Sequence, residues 1–317
     1  GWVKADGRDP AVSCITAFIL DAETIPAPIL YLAEKAGMKP GELRGLKNLS
    51  LEQKKQAAES LLKVQALDPA GLVPGWVREQ LYYPAGTHST EHFRHWIESI
   101  QQRPPAWLRI RTSYRNEVLA FFNRMKVEPF SKSGFSGTVK LPERFSIRQW
   151  PELNGKVEIQ DLASQAVGMI CCPGKGSHWW DVCAGAGGKA LHLSDLLQGT
   201  GSVLATDVRA SILEELRRRM GKNNYPGLKI QDWDGRSDPA PGREFDGVVL
   251  DAPCTGLGTW HRNPDARWRM KPESIKEKAD LQGNLIQRAA TKVKNGGCLV
   301  YATCTMTALE NDGVISA

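Results

Sequence analysis

No apolar run in the sequence approaches the roughly 18 residues of a membrane-spanning helix, so no such helix is expected. Gly1–Pro10 has no apolar secretory core, and no signal peptide is expected there. None of the seven cysteines (Cys14, Cys171, Cys172, Cys183, Cys254, Cys298 and Cys304) forms a Cys-x-x-Cys pair, and their number is odd. That argues against a disulfide framework and against a zinc site, and it fits a reducing cytoplasm. His88, His92 and His95 share a helical stretch without a fourth ligand, so they read as a polar helix face and no metal is expected. The sequence also lacks internal repeats and low-complexity segments.

What is present is ordinary globular composition. The 317 residues are 41% hydrophobic and 24% charged, which suggests about two domains. The net charge of +6 is uneven: residues 101–150 hold ten Lys and Arg against three Glu. Trp107, Tyr114, Phe121, Phe122, Phe130 and Phe135 are interleaved with those cations. Cations attract phosphate and rings stack on unpaired bases, so Arg109, Arg111 and Arg115 are candidates to grip a nucleic-acid backbone. The alternative is a solvated basic face over core aromatics.

Residues 11–101 read as helical. Ser50 with Gln53 forms a capping box before Leu51–Leu67, and Phe93, Trp96, Ile97 and Ile100 share one helix face. Arg103-Pro104-Pro105 ends that region, and residues 106–158 read as a small α+β unit. From Asp161 the pattern alternates. Asp161 caps a helix with Leu162, Ala166, Met169 and Ile170 on one face. Strands are expected at 179–183, 202–206, 228–231, 245–250 and 297–303, with helices at 188–198, 209–220 and 273–294. Gly221 and Gly296 fall where helix C-caps belong. This alternation predicts a parallel sheet covered on both faces.

The first strand of that sheet runs into Cys183-Ala184-Gly185-Ala186-Gly187-Gly188-Lys189, a glycine-rich turn before a helix N-terminus, where backbone N–H groups meet polar ligands. The second strand leads to Asp207, the usual place for an acid that binds ribose hydroxyls. A P-loop is excluded, because Ala190 stands where Ser or Thr would follow Gly188-Lys189. The turn also fits Gly-x-Gly-x-x-Ala, so a dinucleotide and a sulfonium nucleoside both remain open as ligands. The fourth strand leads into Asp251-Ala-Pro-Cys254 and the fifth into Thr303-Cys304. Parallel topology sends both cysteines to the sheet's ligand-binding edge, beside Asp251. Lys189 and the helix end are placed to lower a thiol pKa.

These residues resemble the Sun/Fmu (Nop/Sun-domain) family of RNA cytosine-C5 methyltransferases. The resemblance covers roughly 103–315 and rests on ordered motifs: Arg103-Pro-Pro-Ala-Trp-Leu-Arg109, Gln160-Asp-Leu-Ala-Ser-Gln165, Cys183–Lys189, Asp251-Ala-Pro-Cys254-Thr-Gly-Leu-Gly258, Arg262-Asn-Pro-Asp265, Gly296–Cys304 and Glu310-Asn311. It implies a class I methyltransferase (Rossmann-like) α/β domain over 159–317. That domain follows a helical RNA-binding domain over 1–102 and a small basic α+β RNA-binding subdomain over 103–158. It implies S-adenosylmethionine contacts from Cys183–Lys189, ribose held by Asp207, and adenine faced by Asp234. It further implies that Cys304 attacks carbon 6 of cytosine, that Cys254 assists release, and that Asp251 and Lys189 lie near cofactor and base. The helical N-terminus with Arg103-Pro-Pro looks most like the bacterial small-subunit rRNA branch. A tRNA methyltransferase is the nearest alternative; an NAD-dependent oxidoreductase and a non-catalytic RNA-binding factor are more distant ones. Ala186 stands where the family usually has Pro, and Thr305 where it usually has Ser. The fold normally ends in a further β-hairpin, so about two more strands are expected beyond Ala317.

Overall fold

A computed structural model describes residues 15–16, 18–19, 27–35, 37–39, 43, 46, 49–62, 67–83, 90–102, 104–128, 135–142 and 147–317. Cys14, His88, Arg103, Phe130 and Lys132 lie outside them. The protein forms two compact units, each assembled from separated stretches. One joins Gly1–Pro104 to Cys254–Ala279 and Cys304–Ala317; the other joins Pro105–Pro253 to Asp280–Thr303.

The first unit contains α1 (Ala27–Lys35), α2 (Leu51–Leu62) and α3 (Thr90–Gln101). The expected capping box starts α2: the Gln53 N–H donates to Ser50 Oγ at 3.3 Å, and the Ser50 N–H to Gln53 Oε1 at 2.9 Å. Phe93, Trp96, Ile97 and Ile100 are all buried, as their spacing predicts, while His92 and His95 face outward. The partners of that apolar face come from nearby, Leu72, Val73, Val77 and Leu81, and also from far along the chain. Leu257 and Trp260 join its cluster, with the Trp96 and Trp260 rings 6.0 Å apart. Arg267, almost wholly buried, donates from Nη2 to the Ile100 carbonyl at 3.0 Å. Trp96 Nε1 donates to Met306 Sδ at 3.2 Å, and the Tyr82 N–H to the Met306 carbonyl at 2.7 Å. The helical N-terminal stretch and the segments that carry both candidate cysteines thus share one core.

The second unit opens with β1 (Trp107–Ile110), α4 (Arg115–Arg124), β2 (Thr138–Lys140) and β3 (Val157–Ile159), whose strands form an antiparallel sheet in the order β2-β1-β3. The arginines of this segment correct the sequence reading. Arg109 and Arg111 are only 3% and 7% exposed. Arg109 Nη1 pairs with the buried Asp195 at 2.7 Å and its Nε donates to Gln160 Oε1 at 2.8 Å. Arg111 donates to the carbonyls of Gly155 and Asn224, and its guanidinium stacks 4.2 Å from the Tyr225 ring. Both are structural ties and not phosphate grips. Phe121 and Phe122 are likewise core. The cations that do face solvent here include Arg115, Arg124, Lys126, Lys140 and Arg148.

Then follow α5 (Leu162–Cys171), β4 (His178–Asp181), α6 (Gly188–Leu197), β5 (Ser202–Asp207), α7 (Ala210–Lys222), β6 (Leu228–Asp232), β7 (Phe245–Asp251), α8 (Glu273–Ala290) and β8 (Val293–Ala302). The strands form one parallel sheet, ordered β6-β5-β4-β7-β8, with β8 as an end strand. Alternate residues serve opposite faces, as strand geometry requires. Trp179, Val203 and Val249 pack against residues of α5, α6 and α7; Trp180, Leu204, Val248 and Leu250 pack against Leu285 and Ala289 of α8. Near-continuous burial of β4, β5 and β7 follows from this double cover.

Three local expectations fail. Asp161 occupies the N-cap of α5 without a side-chain cap bond. The buried face of α5 is Gln165, Gly168 and Cys171, whereas Met169 and Ile170 are exposed. Gln165 is drawn inward by polar partners: its Oε1 accepts from Thr138 Oγ at 2.6 Å and its Nε2 donates to the Gln160 carbonyl at 2.8 Å. Neither glycine caps a helix. Gly221 lies inside α7, capped by Asn223, and Gly296, with φ +80, lies inside β8 where its register against β7 shifts.

Candidate active site

The carboxyl ends of β4, β5 and β7 supply the polar groups of the second unit. Asp207, at the end of β5, accepts at Oδ2 from the Gly185 N–H at 2.9 Å. Its Oδ1 accepts from the Arg209 N–H at 2.9 Å and from Arg209 Nε at 3.0 Å. Burial pushes the Asp207 carboxyl up, but the Arg209 and Gly185 hydrogen bonds outweigh it and hold the group below the ordinary carboxylate range. Arg209 Nη2 also donates to Oδ2 at 3.0 Å, so four donors fill the about four acceptor positions of this carboxylate, and a ribose hydroxyl reaches it only when the exposed Arg209 side chain gives way.

The turn from Cys183 to Gly188 is fixed by its own backbone and by neighbours. The Ala184 N–H donates to the Thr206 carbonyl, and the Gly187 N–H to the Ala184 carbonyl, both at 2.8 Å. Arg219 donates to the Ala186 carbonyl, and Gln160 Nε2 to that of Gly188 at 3.0 Å. Gly187 has φ +88, and a Cβ there would lie 2.1 Å from Leu216 Cδ1, so only glycine fits. The first N–H groups of α6, beginning at Gly188, follow directly.

Lys189 forms an ion pair with Asp251. Its ammonium is therefore engaged by a carboxylate, whereas the sequence reading gave it a thiol. Behind that pair, the fully buried Asp181 carboxyl is pushed up to about 7 by burial and then by the Asp251 charge, with Lys189 opposing. The Cys183 thiol is pushed well above its ordinary range, first by burial and then by Asp181, which suits a packed thiol and not a nucleophile. Asp234 is turned onto its own chain: Oδ1 accepts from the N–H groups of Arg236 and Ser237 and from Ser237 Oγ. Those bonds lower it to about 2.

In the first unit, Cys254 and Cys304 stand together. Their Sγ atoms are 3.3 Å apart, and the Cys304 N–H points at Cys254 Sγ, also at 3.3 Å. Cys304 is exposed and Cys254 half-buried. The hydrogen bond to Cys304, then burial, pushes the Cys254 thiol far above its ordinary value. Cys254 therefore keeps its proton. Cys304 is the exposed and accessible sulfur of the pair. Among the described residues, no group of three or more His, Cys, Asp and Glu is arranged to hold a metal.

A family model described as 16S rRNA methyltransferase RsmB/F matches residues 169–317. Ribosomal RNA small subunit methyltransferase B of Escherichia coli O6:K15:H31 (strain 536 / UPEC) is 32% identical over 291 residues, which cover 88% of this chain and 65% of that protein. The protein of the same description from Shigella boydii serotype 4 (strain Sb227) is 31% identical over 307 residues, covering 93% of this chain and 67% of its own length. The chain belongs to the RsmB/F family. It spans 65% of the length of the Escherichia coli relative. A crystal structure described as a methyltransferase homolog protein from Pyrococcus horikoshii superposes with a TM-score of 0.66 at 27% identity, over 78% of this chain and 81% of that one. The parallel sheet is thus the class I, Rossmann-like methyltransferase fold. For an RsmB/F-family chain, the motif residues Cys183–Lys189, Asp207 and Asp251 surround the sheet's carboxyl edge as their spacing implied. Arg209 and Asp181 were not singled out from the sequence. Arg209, two residues after Asp207, carried a signal in that spacing; burial of Asp181 had none.

Proposed function

We propose that the protein uses S-adenosylmethionine to methylate carbon 5 of a cytosine in small-subunit ribosomal RNA. The observation that carries this reading is the Cys254–Cys304 pair, 3.3 Å apart, on segments that leave the ends of β7 and β8. An NAD-dependent reaction gives these two thiols no joint role. The rRNA substrate is favoured over tRNA because the relatives at 31–32% identity are ribosomal RNA small subunit methyltransferases.

The turn fits a nucleoside cofactor: its Gly187 conformation admits no side chain, N–H groups open α6, and Asp207 stands at the next strand end. S-adenosylmethionine, when bound, supplies an electrophilic methyl group. The residues that would hold it are Cys183–Lys189, Asp207, Asp234 and Asp251.

Cytosine carbon 5 is too weak a nucleophile by itself. Cys304 thiolate adds to carbon 6, and the electron pair of the carbon 5–carbon 6 double bond makes carbon 5 enamine-like. Once carbon 5 carries the methyl group, it must lose its proton to a base. The Cys304 sulfur then leaves by elimination and the double bond returns. Formation of the sulfur–carbon bond consumes the Cys304 thiolate, and with it the charge that holds the Cys254 proton. Cys254 becomes easier to ionise at the stage where release needs a base. Lys189 and Asp251 act near the cofactor and target base.

The helical stretch 1–102 and the exposed cations Arg115, Arg124, Lys126, Lys140 and Arg148 are the proposed RNA contacts. A reducing compartment such as the cytoplasm keeps the two thiols separate. Single-turnover assays with RNA and S-adenosylmethionine test the reading. Cys304→Ala loses methylation and the covalent adduct, whereas Cys254→Ala accumulates an RNA-linked band on a denaturing gel. Normal turnover by Cys304→Ala overturns it.

A further inference from the structure

Directly behind the two cysteines lies a carboxylate that the reaction above does not use. Glu310 is completely buried. Its Oε1 accepts from the Thr255 N–H at 2.9 Å. Its Oε2 accepts from Thr255 Oγ and, at 2.8 Å, from Thr307 Oγ. A buried carboxylate is tolerated only where such donors converge on it, and bonds to a charged acceptor are stronger than neutral ones.

Thr255 is the residue after Cys254, and Thr305 the residue after Cys304. Their hydroxyls are 2.8 Å apart. A carboxylate has no hydrogen to give, so Thr255 Oγ donates to Glu310. Having used its only hydrogen, that oxygen accepts from Thr305 Oγ. The chain of donation runs Thr305 to Thr255 to Glu310, and it joins the two cysteine segments one residue beyond each sulfur. A second tie closes the other side of Cys304: its carbonyl accepts from the Gly258 N–H at 2.9 Å. A Cβ on Gly258 would come within 2.8 Å of that carbonyl oxygen, so the approach depends on glycine. Thr305 stands where the family usually has Ser; both residues supply the hydroxyl that the chain of donation needs.

We propose that Glu310 is a positioning residue for the thiol pair, holding Cys254 and Cys304 in register through Thr255 and Thr305 so that one sulfur donates to the other. The proposal rests on Cys304 being the nucleophile. Thiolate formation at Cys304 depends on the hydrogen bond from Cys254, and that bond depends on the spacing set from behind. Small displacements of reacting groups carry large rate penalties.

The test uses the full chain and two readouts. The first is iodoacetamide alkylation of each cysteine against pH, followed by peptide mass spectrometry. The second is steady-state methylation of RNA. In Glu310→Gln the shape is kept but one acceptor becomes a donor facing a hydroxyl. Half-maximal alkylation of Cys304 is expected to move up by about one pH unit. The kcat is expected to fall about tenfold or more, with the KM for S-adenosylmethionine unchanged. Thr305→Val is expected to reproduce both effects and Thr305→Ser to restore them. A folded Glu310→Gln protein with the wild-type alkylation profile overturns the proposal. Should Glu310→Gln fail to fold, the Thr305→Val and Thr305→Ser pair decides: equal profiles in those two overturn it. Failure of the nucleophile assignment is separate, since it shows as turnover by Cys304→Ala.

Discussion

The turn at Cys183–Gly188 and the thiol pair at Cys254 and Cys304 are built on opposite plans. The turn is a continuous run whose polar groups are backbone amides, and its main side-chain partner, Asp207, follows within one βαβ unit. The thiol pair joins residues 50 positions apart, and its support comes from side chains on two segments. A backbone-built site depends on conformation and fails when a side chain intrudes. A site built from side chains depends on several buried polar groups at once, and any of them can loosen it without unfolding the rest.

Predictions that break or sharpen this contrast run from large to small. Arg109→Met leaves Asp195 buried without its main partner, and a loss of about 3 kcal/mol in urea unfolding is expected. A near-neutral effect would return Arg109 to the surface role that its composition suggested. Gly187→Ala meets both a positive φ and Leu216, and about 2 kcal/mol is expected to go. Its cofactor affinity in calorimetry falls while Cys304 alkylation stays normal; coupled loss would mean that the two sites are not independent.

Asp181 titrates at about 7 in the folded protein against 3.8 for the free group. The folded state therefore binds its proton more tightly, and that stabilisation is full below about pH 4 and is lost as pH rises through 7. Asp181→Asn is expected to flatten the decline in unfolding free energy between pH 6 and 8, a difference of about 1.4 kcal/mol in urea unfolding. Identical wild-type and variant profiles would place the carboxyl outside this titration. Asp207→Ala is expected to weaken S-adenosylmethionine binding about tenfold, equal to one lost hydrogen-bonding group. Isothermal calorimetry checks it, and unchanged affinity would remove Asp207 from the site. The smallest effect concerns RNA. Changing Arg124, Lys126 and Lys140 to Gln is expected to reduce the salt slope of RNA affinity by about 0.7 for each lost phosphate contact. An unchanged slope would move the RNA path elsewhere.

Legibility in the sequence follows the same division. The capping box at Ser50 and Gln53, the buried face of α3 and the five parallel strands are local or periodic, and each is present. The positions of the glycine turn and of the two cysteines were readable because strand ends in a parallel sheet must reach one edge. Arg109 was misread because its partner, Asp195, lies 86 residues away, and nothing local marks an arginine as buried. The face of α5 was misread because polar pairing of Gln165 outweighed the apolar pattern. Glu310 stood among the recognised motifs, but only the fold brings Thr255 to it.

The discontinuous first unit has a consequence for synthesis. Ile100 waits 167 residues for Arg267, and Trp96 waits 210 residues for Met306. At roughly 5–20 residues per second, the apolar face of α3 is made about 8–40 s before these distant partners exist. Four of the five parallel strands, β4 to β7, are made before Arg267, whereas the N-terminal helices cannot complete their core. Phe93, Trp96, Ile97 and Ile100 therefore have only Leu51, Leu72, Val73, Val77 and Leu81 to pack against at first, and their cover is complete only when Leu257, Trp260 and Met306 have been made.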